Sequence, residues 1–238
     1  MTSQTGLRIV GITGMIAAGK SHVARWMESI GGLRLDADRI AREQLDAPEV
    51  IDALVARVGN SIRGGGGTID RAALAAKVFK PAVNPANGNP ADCDPRRDLK
   101  VLESIVHPRV RRVMTDAIAA ESRTGNRAVI LDVPLLVESG WHRCCDEVVA
   151  VVCDAAVQID RVERRGWTAD ELDRRQQHQM PIARKKAAAT VIVDTSDGDE
   201  EYSRILAAHF AALGFDFGPS PPIGPKDHCG GGVMTDNE

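Results

Sequence analysis

The fold of this chain follows from one stretch, Gly14-Met15-Ile16-Ala17-Ala18-Gly19-Lys20-Ser21, which matches the phosphate-loop pattern GxxxxGK[ST] without a gap. Glycines allow backbone amides to turn inward around phosphate oxygens, and the N-terminus of the following helix adds positive potential. In this pattern the lysine reaches the β- and γ-phosphates of a nucleotide, while the serine hydroxyl binds magnesium. The sequence therefore predicts a site for ATP and Mg²⁺, with nucleotide contacts from Gly14, Ala17, Ala18, Gly19, Lys20, Ser21 and His22.

The segments on either side of this loop have the periodicity that a phosphate loop requires. Residues 7–13 form a β-branched run that predicts a strand, and residues 20–30 have helical spacing. A second short strand is expected at 33–36, followed by a helix at 37–45. This order of strand, loop, helix and strand is a βαβ unit, which favours a parallel sheet with right-handed crossovers.

Three later aliphatic runs complete the expected sheet, at residues 128–132, 147–153 and 190–194. Each run is nearly continuous, as expected for central strands that are covered on both faces. Together with the first two strands, they predict an α/β architecture. We expect the P-loop NTPase fold, with a five-stranded parallel sheet flanked by helices.

Helical patterning covers most of the remaining chain, at residues 49–58, 70–79, 99–121, 155–189 and 199–213. The third of these stretches is expected to be interrupted near His107 and Pro108. The fourth is highly charged and is expected to break at Gly166 and Pro181, because both residue types disfavour helix interiors.

Two segments stand apart in composition. Residues 80–98 are rich in Pro, Asn, Asp and Gly and predict an exposed, partly disordered loop. Residues 216–238 predict a disordered tail. The chain has 238 residues, so one sizeable domain over residues 1–215 is expected.

Composition excludes several classes of function. A formal net charge of −3 argues against a nucleic-acid partner, since such proteins need a basic surplus. No apolar run approaches the roughly 20 residues that a membrane span needs. The five cysteines show no CxxC spacing, and the N-terminus has no secretory apolar region, so a reduced cytoplasm is the expected compartment. The cysteines are Cys93, Cys144, Cys145, Cys153 and Cys229.

Two carboxylates, Asp36 and Asp38, follow the second predicted strand, at the sheet edge where ligands bind in open α/β folds. An aspartate there can accept or orient the proton of an acceptor hydroxyl, although such residues also cap helices. The chain lacks the NKxD motif of GTPases and is too short for a motor ATPase. The small-molecule kinases remain as the favoured class.

Several motifs occur in one order along the chain: Gly11-Ile12-Thr13-Gly14 with Lys20-Ser21, Asp36-Ala37-Asp38 with Ile40-Ala41-Arg42, Leu102-Glu103-Ser104-Ile105-Val106-His107-Pro108, Asp132-Val133-Pro134-Leu135-Leu136-Val137-Glu138, and Gln158 with Arg161 and Arg165. Many families share a phosphate loop, but the set DAD, LExIxHP and DVPLLxE is specific. Over about residues 7–212 the chain resembles the dephospho-coenzyme A kinases.

Members of that family phosphorylate the ribose 3′-hydroxyl of dephospho-CoA with ATP, in the last step of coenzyme A synthesis. The resemblance implies a P-loop core, a helical CoA-binding region at about 48–125 and a mobile lid at about 155–189. By position, Asp38 is similar to the family's proposed catalytic base. His107 and Pro108 fall in the acceptor-binding region, where a lone histidine is otherwise more often structural.

Three further charged residues gain a role from the resemblance. Asp132 ends an aliphatic strand, where it would act on the water shell of magnesium or merely cap the next turn. Arg161 and Arg165 lie one helical turn apart, so their side chains are expected to share a face. On a closing lid they would join Lys20 in holding the charge of the transferring phosphoryl group. The alternative is a solvated basic face with Glu163 as partner.

The chain departs from the family pattern in three places. His22 stands where a threonine commonly follows the serine of the loop, and residues 189–194 lack the usual Ala-Asp before the last strand and the Asn after it. Residues 80–98 look like an insertion. Two other functions stay open from the residues: a P-loop kinase for another small acceptor, such as a nucleoside monophosphate or shikimate, and a nucleotide-binding regulator without catalysis.

Overall fold

The structure is a computed structural model that describes residues 6–79, 96–124 and 128–215. Most of the predicted insertion at 80–98 and the whole predicted tail at 216–238 lie outside these residues.

The described residues contain one sheet of five parallel strands, in the order β2-β3-β1-β4-β5. In β2 and β3, Asp36 lies opposite Asp132, and in β1 Ile12 lies opposite the same Asp132. The carboxyl ends of these three strands therefore meet at one edge of the sheet. The predicted α/β fold is confirmed, with strands at Ile9–Gly14 (β1), Leu33–Asp36 (β2), Val129–Asp132 (β3), Glu147–Val152 (β4) and Val191–Asp194 (β5).

The helices follow the predicted pattern closely, and the breaks near Gly166 and Pro181 are confirmed. They are Lys20–Ser29 (α1), Ala37–Gln44 (α2), Pro48–Val58 (α3), Arg71–Val78 (α4), Arg97–Thr124 (α5), Ala155–Glu163 (α6), Ala169–Gln177 (α7), Ile182–Ala187 (α8) and Asp199–Ala212 (α9). Short 3₁₀ turns lie at Asn60–Ile62, Gly65–Gly67 and Trp141–Cys144.

Alternation along β3 divides the core into two halves, because successive side chains of a strand point to opposite faces. Val129 and Leu131 pack with α2 to α5, whereas Ile130 packs with α1 and α9. Both halves are built mainly from aliphatic side chains. Helices thus pack on both faces of the sheet behind the edge that carries Asp36 and Asp132.

The expectation that residues 190–194 form a central strand is wrong. Within the described part of the chain β5 is an edge strand that pairs only with β4, and Ile192 remains 47% exposed. Val193 points to the other face, where it packs against Tyr202 and Leu206 of α9. An aliphatic run does not reveal how many neighbours a strand has, so this edge position could not be predicted from the sequence.

The expected interruption near His107 and Pro108 is also wrong, because α5 continues through both residues for 28 residues. A proline inside a helix costs about 3 kcal/mol. Four side chains of α5 are buried around this position, each worth roughly 1.5–3 kcal/mol, so packing outweighs the cost. They are Ile105, Val106, Val110 and Met114.

Candidate active site

The phosphate loop links β1 to α1, and glycine is required where it leaves the strand. Gly14 has φ 140°, and a Cβ atom there would lie 2.0 Å from the carbonyl oxygen of Val151. Gly19, with φ 89°, occupies the N-cap position of α1. Ala17 also has a positive φ, 58°, and is the one non-glycine residue that does so in the described chain. These backbone conformations form the cradle that the motif predicts.

Lys20 begins α1, and its amine is turned onto the loop. Nζ donates a hydrogen bond of 2.6 Å to the carbonyl oxygen of Met15. Burial, and then the neighbouring positive charge of Lys185, lower the pKa of Lys20 to about 8. The amine is therefore held at the loop by neutral acceptors, which phosphate oxygens can replace.

The loop opens into a cleft of about 1190 Å³ that also receives the predicted acids and part of the segment 155–189. Gly19, Lys20, Ser21 and His22 lie on one side of it. Its other lining residues include Arg34, Asp36, Asp38, Arg42, Asp132, Arg165, Trp167, Arg175, His178 and Gln179. The structure thus brings together most of the residues that the sequence indicated.

One side of the cleft, which we call the acid wall, consists of Asp36, Asp38, Asp132 and Arg34. Nη2 of Arg34 lies 2.5 Å from Oδ2 of Asp132 and 3.0 Å from Oδ2 of Asp36. Nε of Arg34 makes a further bond of 3.2 Å to Oδ2 of Asp132. One guanidinium therefore joins the carboxylates at the ends of β2 and β3.

Asp38 lies in the first turn of α2 and faces the same cleft. Burial raises the pKa of its carboxyl, and the negative charges of Asp36 and Asp132 act in the same direction, against Arg42. A carboxylate with a raised pKa is a better proton acceptor than an ordinary aspartate. This is the property that a general base near a hydroxyl needs.

Arg161 and Arg165 do not share a helical face, because α6 ends at Glu163 and Arg165 lies in the turn beyond it. Arg165 lines the cleft. Arg161 instead donates 2.8 Å bonds to the hydroxyl and the carbonyl oxygen of Thr195, at the end of β5. The Thr195 hydroxyl lies 2.7 Å from the carbonyl oxygen of Ala18. Arg161 thus stabilises the phosphate loop through Thr195.

A second charged group lies next to the start of the loop, where Lys185 of α8 is only 2% exposed. Its Nζ lies 3.0 Å from Oε1 of Glu138 and 2.9 Å from Oε1 of Gln179. Glu138 also accepts a 3.2 Å bond from the backbone amide of Met180. We call Lys20, which lines the cleft, together with the Lys185 and Glu138 pair beside the start of the loop, the lysine side.

His22 and the predicted acceptor residues differ in their positions. Nε2 of His22 lies 2.7 Å from Oδ2 of Asp199, and the imidazole lines the cleft beside Ser21. His107 and Pro108 lie on the exposed side of α5, outside the set that lines the cleft. The structure therefore does not bring them to the phosphate loop.

Sequence reasoning missed four residues: Arg34, Arg175, Lys185 and Thr195. The guanidinium of Arg175 lies 3.9 Å from the ring centroid of Trp167 at the cleft. Glu138 was part of a quoted motif but had no role. The only sequence signal for a partner was that the DVPLLxE segment places a charge directly after an apolar run, where a counter-charge is expected.

Magnesium fits this site if most of its ligands come from the nucleotide and water rather than from protein side chains. Among the described residues, no group of three or more His, Cys, Asp or Glu side chains could hold a metal ion. Mg²⁺ in phosphoryl-transfer sites is held by few protein oxygens, with phosphates and waters completing its shell. Ser21 is exposed at the cleft and meets that need.

Helices in the described ranges are all too short or too polar to cross a membrane.

The comparisons with known proteins agree with the geometry. A family model described as Dephospho-CoA kinase matches residues 8–201. The dephospho-CoA kinase of Rhodopirellula baltica is 36% identical over 205 residues, which cover 86% of this chain and 90% of the relative. That of Symbiobacterium thermophilum is 37% identical over 231 residues, covering 96% of this chain and 90% of the relative.

Solved structures support the same fold. A crystal structure from Thermus thermophilus has a TM-score of 0.67 and 32% identity, covering 87% of this chain and 98% of that chain. The dephospho-CoA kinase from Campylobacter jejuni has a TM-score of 0.58 at 20% identity, covering 87% and 97%, and so supports the fold. The matched family model spans most of the chain, and the relatives match it nearly end to end. The chain belongs to the dephospho-CoA kinase family.

Proposed function

We propose that this protein transfers the γ-phosphoryl group of ATP to the ribose 3′-hydroxyl of dephospho-CoA, giving coenzyme A and ADP. The observation that carries the proposal is that Lys20 and Asp38 line one cleft. A phosphate-binding amine thereby faces a carboxylate with a raised pKa. Family membership supports the choice of acceptor.

ATP would bind with its phosphates in the loop, within the amides that follow Gly14 and Gly19. Lys20 would move its hydrogen bond from the Met15 carbonyl to the β- and γ-phosphates. Ser21 would hold Mg²⁺, which neutralises phosphate charge when bound. His22, fixed by Asp199, lies where it can contact the nucleotide beyond the loop.

Asp38 would orient the 3′-hydroxyl and accept its proton. The hydroxyl oxygen attacks the γ-phosphorus, a new O–P bond forms, and the bond to the β-phosphate oxygen breaks. The electron pair of that bond leaves with ADP. Catalysis in such transfers is mostly positioning and electrostatic stabilisation, and the cleft supplies both through Lys20, Arg165 and Asp38.

The segment 155–189 would act as the lid, since the turn after α6 brings Arg165 to the cleft and α7 brings Arg175. In this proposal Arg165 contacts the transferring group, whereas Arg161 supports the loop through Thr195. The helices between residues 48 and 125 would bind the rest of the acceptor. His107 and Pro108 would contact a distal part of it, because they lie outside the cleft.

Asp132 is assigned to the charge network of the acid wall rather than to the magnesium shell. Its Oδ2 accepts hydrogen bonds from both Nε and Nη2 of Arg34. That oxygen is therefore already engaged by a protein cation, which Asp132 shares with Asp36.

We further propose that the protein acts in the cytoplasm. Cys144, Cys145 and Cys153 are free thiols, which is typical of proteins in reducing compartments.

The test is ADP release from ATP and Mg²⁺ with dephospho-CoA as acceptor, beside AMP, CMP, shikimate and a reaction without acceptor. We expect ADP only with dephospho-CoA, and a product with the mass of coenzyme A. Turnover with another acceptor would assign the protein to a different kinase activity. ATP binding without any acceptor-dependent turnover would favour a regulator that has lost catalysis.

A further inference from the structure

The two strand-end carboxylates of the acid wall create a local excess of negative charge. Asp36 and Asp132 are register partners in the parallel pair of β2 and β3. Partners in this register point to the same face, and like charges placed side by side across strands destabilise a sheet. A cation is therefore needed between them.

Arg34 is the cation that the strand periodicity supplies. It precedes Asp36 by two residues in β2, so both side chains lie on one face of the sheet. The three side chains are largely buried, with 14% exposure for Arg34, 19% for Asp36 and 11% for Asp132. Screening by solvent is weak at such positions, so these bonds hold their geometry.

Asp36 links this pair to the helix that carries Asp38. Its Oδ2 accepts from Arg34 at 3.0 Å, while its Oδ1 accepts from the backbone amide of Arg39 at 2.9 Å and so caps α2. Asp38 is the second residue of that helix. If the carboxylate of Asp36 rotates, the first turn of α2 loses its cap and Asp38 loses its fixed position.

We infer that Arg34 is a positioning residue for phosphoryl transfer, which holds Asp36 in its capping geometry and thereby fixes Asp38 against the acceptor hydroxyl. Asp132 serves as the second anchor for the guanidinium. The inference rests on the proposed function, because it gives Asp38 the role of proton acceptor.

The test compares Arg34→Val, Arg34→Lys and the double variant Arg34→Val with Asp132→Val. For Arg34→Val we expect kcat to fall roughly 10- to 10²-fold, the effect of a small misplacement of a reacting group. KM for ATP should change much less, because the phosphate loop is intact. Arg34→Lys should recover part of kcat, since an ammonium can still reach Asp36.

The double variant separates positioning from stability. It removes the unpaired charge that Arg34→Val leaves on Asp132 and places two β-branched side chains in the strands, so thermal stability should recover part of the loss seen in Arg34→Val. Asp36 still lacks its bond from Arg34, so kcat should stay as low as in Arg34→Val. A double variant with wild-type kcat would overturn the positioning role and leave Arg34 a purely structural one.

Two further measurements test whether Asp132 binds the metal and whether the effect is specific to Arg34. The Mg²⁺ concentration for half-maximal rate should be the same in the double variant and the wild type; an increase would return Asp132 to the metal shell and overturn the inference. Arg204→Val, which removes an exposed arginine from its 2.7 Å pair with Glu201 on α9, is the matched control. Failure of the wild type to use dephospho-CoA would reject the proposed function, whereas full kcat in Arg34→Val would reject only the role of Arg34.

Discussion

The acid wall holds three carboxylates and one arginine, whereas the lysine side holds two amines and one glutamate. In the first, burial and like charges raise the pKa of Asp38; in the second, burial and a like charge lower the pKa of Lys20 to about 8. Both shifts bring a pKa closer to neutral pH. We call Asp38 and Lys20, the two groups proposed to act on the substrates, the working groups. The same two physical causes thus act with opposite sign on the two sides.

On each side, the residue of opposite charge bonds to neighbours of the working group rather than to the working group itself. We call these neighbours, Asp36, Asp132 and Lys185, the supporting groups. Arg34 pairs with Asp36 and Asp132, and Glu138 pairs with Lys185. Among ion pairs formed between described residues, none includes Lys20 or Asp38. Supporting and working groups therefore differ in pairing. The supporting groups are held in ion pairs, whereas the working groups are free of ion pairs among the described residues and face the substrates.

The largest effect should come from removing the working group of the lysine side. Lys20→Ala should lower turnover by roughly 10³-fold, because a preorganised positive charge at the transferring phosphates is lost. ADP release measures the rate, and circular dichroism should show an intact fold. Lys186→Ala, at an exposed lysine of α8, is the control. Near-normal turnover in Lys20→Ala would remove the basis for calling Lys20 a working group.

The next effect tests the working group of the acid wall. Asp38→Asn should reduce kcat by roughly 10²- to 10⁴-fold, the usual contribution of a general base. Asp38 acts when ionised, so wild-type kcat/KM should be lost as pH falls through its raised pKa, and the variant should lack that acidic limb. Glu201→Gln on α9 is the matched control. A variant with an unchanged rate would mean that Asp36 or water accepts the proton.

A supporting group should affect stability and pH dependence more than chemistry. Lys185→Met leaves the largely buried Glu138 without its partner, and breaking a buried pair costs about 3–5 kcal/mol. The free energy of unfolding from urea titration measures this. The exposed neighbour Lys186, changed to Met, should unfold like the wild type.

The same variant also tests the electrostatic coupling between the two amines. Lys20 binds phosphates as an ammonium, so kcat/KM for ATP should fall as pH rises through its pKa of about 8. Loss of the Lys185 charge raises the pKa of Lys20, so the alkaline limb should move to higher pH. A limb that stays in place would show that Lys185 supports the loop only by packing.

Sequence alone predicted the features that depend on local pattern. The strand β1, the phosphate loop and α1 follow from residue types at fixed spacing, and the βαβ order implied that Asp36 and Asp38 meet the loop. The cleft lined by Lys20, Ser21 and Asp38 follows from these.

Features that depend on register or on neighbours could not be predicted. Arg34 bonds to a residue 98 positions away, and only the alignment of β2 with β3 brings them together. The position of β5 at the sheet edge and the unbroken path of α5 through Pro108 depend on packing partners. Arg161 bonds to Thr195 while Arg165 reaches the cleft, because α6 ends between the two residues, a boundary that a four-residue spacing does not reveal.

The smallest effect should come from Ala17, where the loop meets the segment 155–189. Its backbone has φ 58°, while its methyl packs against Val162 and Leu172. In Ala17→Gly, relief of about 1–2 kcal/mol of strain is offset by about 0.4–1 kcal/mol of chain entropy and about 0.8 kcal/mol of lost burial. Urea titration should therefore show a free energy of unfolding within about 1 kcal/mol of the wild type.

Loss of the methyl should weaken the contact between the loop and the lid, so KM for ATP should rise by no more than roughly fourfold, equivalent to about 0.8 kcal/mol. A large gain in stability would mean that strain dominates at Ala17. An unchanged KM with unchanged stability would mean that the cluster of Ala17, Val162 and Leu172 does not couple the lid to the phosphate loop.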